Sequence, residues 1–375
     1  MNPILVDRMT STATSHAPVR REPLSGPQIW HGKDLAASQA WIHTLSAADV
    51  AEIRAALAGA KAHGASMPSL TRAGFPLPGL QVKLAAIGQE IERGRGFVLL
   101  RGLPADTFSE EDLRVVFWGL GLHLGVPMSQ SKNGEFMAEV RDIGVKLYQP
   151  DTRAYRSAGR LRFHMDRCDI LALLCVREPI SGGTSRIVSS GLIHNEILER
   201  RPDLLEVLYQ PFHFSRQGEE VAGEERFFPL PIYAQKDGFF TSEFSQSFID
   251  SAQRFPEVPR LSQAQREAIE LVAALADELS YDMQLQRGDI QLLNNHVTYH
   301  SRTDYRDHEE PGKKRMLLRL WLATPIGRPL PESHRTNWYS ISGGAIRGGV
   351  PPASGRHYAF DTWQAAGWPA ASTSK

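Results

Sequence analysis

Cysteine is nearly absent from this chain: Cys168 and Cys175 are the only two in 375 residues. Seven positions of extended chain span roughly 23 Å, too far for a disulfide, and so few thiols suit a reducing cytoplasm. An excess of charge of one sign is absent too. Lys plus Arg and Asp plus Glu number 42 each, and the pI is near 7.3. That balance removes the electrostatic case for nucleic acid or an anionic membrane as partner. Long apolar runs are missing: Ile170 to Val176 is the longest, against the ~20 residues that a bilayer-spanning helix needs. The first 26 residues show no apolar stretch like that of a signal peptide. Neither an internal repeat nor a low-complexity linker interrupts the chain. The expectation is a soluble cytoplasmic protein: one domain, residues 27–375, behind a Ser-, Thr-, Pro- and Arg-rich arm, residues 1–26. Association into a homo-oligomer stays open.

What is present is a mixture of two periodicities. Ser46 reads as a helix N-cap, with Val50, Ile53, Leu57 and Ala60 at helical spacing behind it. A second helix is predicted from about Leu80 to Arg93, stopped by Gly94, and a third behind the acidic turn Ser109-Glu110-Glu111-Asp112. Leu192 to Leu208, interrupted at Pro202, and Ser262 to Tyr281 complete the helical set. Short strands are predicted at Phe97–Arg101, at Arg186–Ser190, on both sides of Lys236-Asp237-Gly238, and on both sides of Arg287-Gly288-Asp289. A strand reaching Asp169 is expected to run on through Ile170–Val176, and Arg315–Ala323 to close the sheet. The fold class is therefore mainly β, with helices packed outside the strands and inserted between them.

Chemistry concentrates in three stretches. His164 and Asp166 stand two apart on what reads as extended chain, which turns both toward one face. His300, in Tyr299-His300-Ser301-Arg302-Thr303, is the third candidate. Two imidazoles and one carboxylate make the facial triad of non-haem Fe(II) oxygenases, which leaves coordination positions open. The third stretch is Arg315-Met316-Leu317-Leu318-Arg319-Leu320-Trp321. An arginine inside so apolar a strand is costly unless it meets an anion, and a dicarboxylic cosubstrate would answer it through a two-pronged contact. His296, four residues before His300, is expected to support the site rather than bind metal. Arg162 shares strand parity with His164 and is a candidate for the pocket or its rim. Asn294 and Asn295 are expected to fix the loop, and Tyr155 to pack.

In this order, His164-Met165-Asp166, Gly182-Gly183-Thr184-Ser185, Gly288-Asp289, Tyr299-to-Thr303 and Arg315-to-Trp321 resemble the taurine dioxygenase/TfdA-like family of Fe(II)- and 2-oxoglutarate-dependent dioxygenases, from about Phe97 to Leu322. The resemblance implies a double-stranded β-helix, a cupin-like jelly roll spanning about 97–325. It implies Fe(II) on His164, Asp166 and His300, with O2 as oxidant. It places the distal carboxylate of 2-oxoglutarate on Arg315 and Ser185. Arg319 then meets 2-oxoglutarate or an acidic group on the substrate, or forms a buried ion pair. The implied reaction oxidises a C–H bond of a small molecule, most simply by hydroxylation, with release of succinate and CO2. A metal-dependent barrel of non-oxidative chemistry and a non-catalytic binding protein are the competing readings. The first needs no dicarboxylate clamp, and the complete ligand set counts against the second.

Overall fold

The Met316–Ala323 strand shows how the chain is layered. Its even-numbered residues, Met316, Leu318, Leu320 and Leu322, enter a core shared with the helices Ala47–Ala62, Leu80–Arg93 and Glu110–Leu122. Its odd-numbered residues Leu317, Trp321 and Ala323 enter a second core, built with Phe97, Leu171, Ile187 and Met283 from facing sheets. The two-residue period of a strand thus supplies both faces of one sheet. A third core lies behind the other sheet, where Phe163, Val188, Val297 and Tyr299 meet the helices Ser190–Arg200, Pro202–Leu208 and Gln263–Leu279. The order is helix, sheet, sheet, helix. The computed structural model on which this rests describes residues 21–145 and 154–369.

The larger sheet runs Ile42–Thr44, Phe97–Arg101, Ile290–Asn294, Ile170–Arg177, Met316–Ala323 and Val126–Pro127, and Met137–Val140 also pairs with the Met316–Ala323 strand. The smaller sheet runs Tyr281–Met283, Ser185–Ser189, Thr298–Arg302 and Leu161–His164. Apart from the first pair of the larger sheet, the pairings are antiparallel. Two facing antiparallel sheets with helices outside are the expected double-stranded β-helix.

Local chemistry explains the boundaries. Ser46 and Asp49 cap each other's backbone at the first long helix, Ser262 and Gln265 do the same further on, and Ser109 caps the helix between them in sequence. Asp237 and Gly238 sit at φ 50° and 80°, which makes the tight turn between Tyr233–Lys236 and Phe239–Ser242.

Two expectations are revised. The Ile170–Val176 run does not continue the metal-site strand: Leu161–His164 ends, the chain turns, and Ile170–Arg177 begins in the other sheet. The buried run is long because both its faces are covered. Residues 1–20 of the expected arm lie outside the described residues, but its remainder is tied down. Arg21 pairs with Glu206 and stacks over Tyr209, and Leu24 exchanges two hydrogen bonds with the Asn195 side chain.

Candidate active site

His164 ends its strand directly opposite His300, so the smaller sheet brings both imidazoles together, with ring centroids 4.2 Å apart. Asp166 arrives differently. It lies beyond the strand, in a turn held by Asn295, whose side-chain oxygen accepts from the Asp166 backbone N–H (3.1 Å) and whose amide donates to Cys168 Sγ (3.0 Å). The Met165 N–H donates to the Phe244 carbonyl on the other side. Strand alternation is therefore not what aligns His164 with Asp166; a pinned turn is. The result is a convergence: His164 Nε2 and His300 Nε2 each stand 3.9 Å from an oxygen of Asp166, and the three donor atoms lie within 4.8 Å of one another. That arrangement suits one metal ion on one face.

Protonation fits ligation. His164 Nδ1–H donates to the Arg162 carbonyl (2.9 Å), which leaves Nε2 with a lone pair toward Asp166. Burial, then the neighbouring His164, push His300 down to about 3, so at physiological pH it is neutral, the form that can bind a metal. Burial acts to raise the Asp166 carboxyl, but the charge of Arg319, with the Trp321 N–H, overrides it and holds the group at about 2. Arg319 Nη1 and Trp321 Nε1 donate to the same oxygen, Oδ2, at 3.2 and 2.9 Å. Arg319 is thus engaged with Asp166 and with Gln130 Oε1 (2.7 Å), between the rings of Tyr155 and Trp321, while its Nη2 is buried without a partner among the described residues.

Arg315 sits just before the same strand, buried, with its guanidinium over the Tyr305 ring (4.9 Å) and Nη1 unpartnered among the described residues. A Cβ at Gly183, which has φ 69°, would come within 3.1 Å of Arg315 Nε, so a glycine is what makes room for the cation. Ser185 is buried on the same inner region, but its hydroxyl donates to Gln291 Oε1 (2.9 Å).

The remaining candidates separate. Arg162 is exposed and reaches Asp250 at 3.3 Å, which makes it a rim charge. His296 is fully buried in a different cluster: Nε2 lies 2.9 Å from Asp169 Oδ1, Nδ1 lies 2.8 Å from Thr241 Oγ1, and the ring stacks on Trp338. Burial, opposed by Asp169, lowers it to about 4, and with one ring nitrogen on Asp169 and the other on Thr241 it stands outside the His164, Asp166 and His300 set. Sequence reasoning missed the residues that line the cavity beside the triad, among them Arg167, Arg216, Glu243 and Phe248. They carry no local signal, because three separate loops and the short helix Gln246–Ala252 bring them together. Tyr155, expected only to pack, lies 4.4 Å from the Arg319 guanidinium.

Comparison with known proteins agrees with this geometry. The family model for the taurine catabolism dioxygenases TauD and TfdA matches residues 42–321. FR-33289 synthase of Streptomyces rubellomurinus is 30% identical over 333 residues, covering 87% of this chain and 98% of that protein. The taurine hydroxylase-like protein SAT17 of Stachybotrys chartarum is 29% identical, over 79% of each chain. Among solved structures, an asparagine oxygenase with Fe(II), 3-hydroxyasparagine and succinate superposes with a TM-score of 0.60 at 17% identity, covering 82% of this chain and 99% of that one. The non-haem iron oxygenase OrfP superposes with a TM-score of 0.56 at 16% identity, covering 76% and 95%. No helix among the described residues is long and apolar enough to cross a membrane. The chain belongs to the TauD/TfdA family of taurine catabolism dioxygenases, enzymes that use Fe(II), 2-oxoglutarate and O2.

Proposed function

We propose that His164, Asp166 and His300 hold the iron, that Arg315 holds the distal carboxylate of 2-oxoglutarate, and that the reaction hydroxylates a C–H bond of a small molecule in the adjoining cavity. The observation that carries this reading is the pairing of a convergent two-histidine, one-carboxylate set with a buried arginine whose Nη1 has no acceptor among the described residues. An unpaired buried guanidinium is costly in the absence of an anion. Iron bound there with 2-oxoglutarate and O2 supplies the oxidant, while 2-oxoglutarate leaves as succinate and CO2.

The protein's part is orientation and shielding. The Arg162 carbonyl fixes the His164 tautomer, and Arg319 with Trp321 holds one oxygen of Asp166 in place. Ser185, two residues beyond Gly183, joins Arg315 at the distal carboxylate by turning its hydroxyl from Gln291. The free Nη2 of Arg319 is a further donor toward 2-oxoglutarate or substrate. Phe214, Phe228 and Phe248 keep the cavity wall apolar. A single domain acting in the cytoplasm, where buried Cys168 and Cys175 stay reduced, belongs to the same reading. Anaerobic titration with Fe(II) and 2-oxoglutarate tests it through their charge-transfer absorption, followed by succinate release in air. A protein that binds iron but never develops that absorption would sink the proposal.

A further inference from the structure

Beside Arg315 stands a second buried donor, the hydroxyl of Tyr305. The residue belongs to a two-residue strand, Tyr305–Arg306, paired antiparallel with Ser181–Gly182. Tyr305 is only 7% exposed, and its ring meets two guanidiniums, Arg315 at 4.9 Å and Arg302 at 4.7 Å. Gly183 sets how closely Tyr305 and Arg315 approach. A Cβ there would come within 3.1 Å of Arg315 Nε and 3.4 Å of Tyr305 Cβ, so both side chains pass beside the same bare stretch of backbone.

The neighbouring polar groups are committed elsewhere. Arg302 donates to the carbonyls of Ser157 (2.7 Å), Thr303 (3.2 Å) and Gly159. Asp307 is the carboxylate that weighs on both Arg315 and Tyr305. Its Oδ1 accepts from the backbone N–H groups of Arg315 (2.7 Å) and His308 (3.0 Å), and its Oδ2 reaches neither side chain. Ser185 donates to Gln291. The Tyr305 hydroxyl and Arg315 Nη1 are therefore both buried without a partner among the described residues. Burial raises the phenol above its ordinary value against the pull of the Arg315 and Arg302 charges, so at neutral pH it keeps its proton and is a donor. A ring that only packed would need no hydroxyl, and a buried hydroxyl with no acceptor costs stability. Two such donors side by side suit one kind of acceptor, a carboxylate with two oxygens.

We propose that the Tyr305 hydroxyl donates to the distal carboxylate of 2-oxoglutarate beside Arg315, and that this contact sharpens the preference for a 2-oxo acid carrying that carboxylate beyond what the arginine alone would give. This rests on the dioxygenase reading above for the place of the cosubstrate. It adds a residue from outside the Arg315-to-Trp321 stretch, placed by its pairing with Ser181–Gly182. The two donors divide the work. The guanidinium supplies charge, and the phenol supplies a neutral hydrogen bond whose direction the buried ring fixes.

The test compares wild type, Tyr305→Phe and Arg315→Ala, each anaerobic and loaded with Fe(II). Each is titrated with 2-oxoglutarate and with 2-oxopentanoate, which keeps the oxo acid and lacks the distal carboxylate. The charge-transfer absorption reads both. Tyr305→Phe should bind iron as wild type does and melt no lower without ligand, because it loses a hydroxyl that had no partner. It should weaken 2-oxoglutarate about tenfold or more and leave 2-oxopentanoate unchanged. An unchanged 2-oxoglutarate affinity would overturn the contact. So would an equal loss for both acids, which marks a packing role for the ring. Arg315→Ala losing the absorption beside a Tyr305→Phe that keeps it in full would remove Tyr305 and leave the dioxygenase reading intact. Wild-type protein that never develops the absorption would count against that reading. Calorimetry with glutarate, a diacid of the same length without the oxo group, on metal-free wild type and Tyr305→Phe then decides the contact separately. Tighter binding by wild type supports it, and equal or no binding overturns it.

Discussion

Asp166 and Asp169 are three residues apart, and each is a buried carboxylate beside a histidine and an arginine. Around Asp169 the polar atoms are matched. Its Oδ1 accepts from Arg347 Nε and Nη2 (3.0 and 2.8 Å) and faces His296 Nε2, and its Oδ2 accepts from the Thr324 backbone N–H. Arg347 Nη1 donates to the Ser342 carbonyl. Around Asp166 the atoms are not matched: His300 Nδ1, Arg319 Nη2 and, just before the same strand, Arg315 Nη1 are buried with no hydrogen-bond partner among the described residues. The same residue types make a structural knot in one place and a binding site in the other. What separates them is the leftover hydrogen-bonding capacity, not burial or charge. Both carboxyls are held at about 2 despite burial, so ionisation state does not tell the two apart either.

The contrast breaks most sharply on paired substitutions. Asp166→Ala should abolish iron binding and succinate release while the melting temperature moves little. Asp169→Ala should instead strike the fold, because Arg347 and His296 lose their partner inside the protein, a loss of about 3–5 kcal/mol. Denaturant unfolding of both variants reads this directly. A destabilised Asp166→Ala beside an unaffected Asp169→Ala would reverse the roles assigned to the two clusters.

Next in size is Arg315→Ala. It should keep iron yet lose about two to four decades of 2-oxoglutarate affinity, the equivalent of about 3–5 kcal/mol for an unpaired charge. Arg315→Lys should regain part of it, since an ammonium cannot make the two-pronged contact. Titration of the charge-transfer absorption measures both, and an unchanged Arg315→Ala would remove the clamp from this strand.

The two histidines sharpen the comparison further. His300→Ala should lose iron, whereas His296→Ala should keep it, with an affinity within about 10–100-fold of wild type. Iron content after anaerobic gel filtration decides between them, and equal loss from both would mean that His296 belongs to the metal site.

The smallest effect concerns Glu243, whose carboxyl burial raises from 4.5 to about 7. The folded state therefore holds its proton more tightly than the unfolded state. Its contribution to stability is full below about pH 4.5 and is lost as pH rises through about 7. Unfolding measured from pH 4 to 8 should show Glu243→Gln falling less steeply than wild type across that window. Identical slopes would place the Glu243 carboxyl in a wetter setting than the structure gives it.

Much of this molecule is legible in its sequence, for a local reason. Helix starts are written in capping residues three apart, as at Ser46 and Asp49, and Ser262 and Gln265. The triad is legible because each of its residues sits inside a short run of distinctive chemistry. The partner of Arg319 is not, since strand parity gives the direction of a side chain but not what waits there. The turn that carries Asp166 was hidden by the same logic: His-x-Asp reads equally well as strand, and Asn295, 129 residues away, decides otherwise. Cys168 shows the limit most simply. Two residues from Asp166, it looks exposed to oxidative damage on paper, yet it is fully buried and its thiol is raised well above the ordinary range by burial. Arg167, Arg216 and Glu243 come from three loops, and no spacing in the chain announces them.

The alternation along Met316–Ala323 has a consequence for how the chain finds its fold. The odd positions carry Arg319 inward, and the even positions carry aliphatic side chains toward Trp118 and Val116. A slip of one residue would exchange the two sets. Arg319 would then be driven into the purely aliphatic and aromatic helix layer, away from Asp166 and Gln130, where its charge has nothing to meet. The guanidinium kept for the metal site thereby also acts as a register mark, making the misaligned sheet far more costly than an all-leucine strand would. Replacing Arg319 with leucine should, on this view, blur the strand's alignment as well as the chemistry beside it.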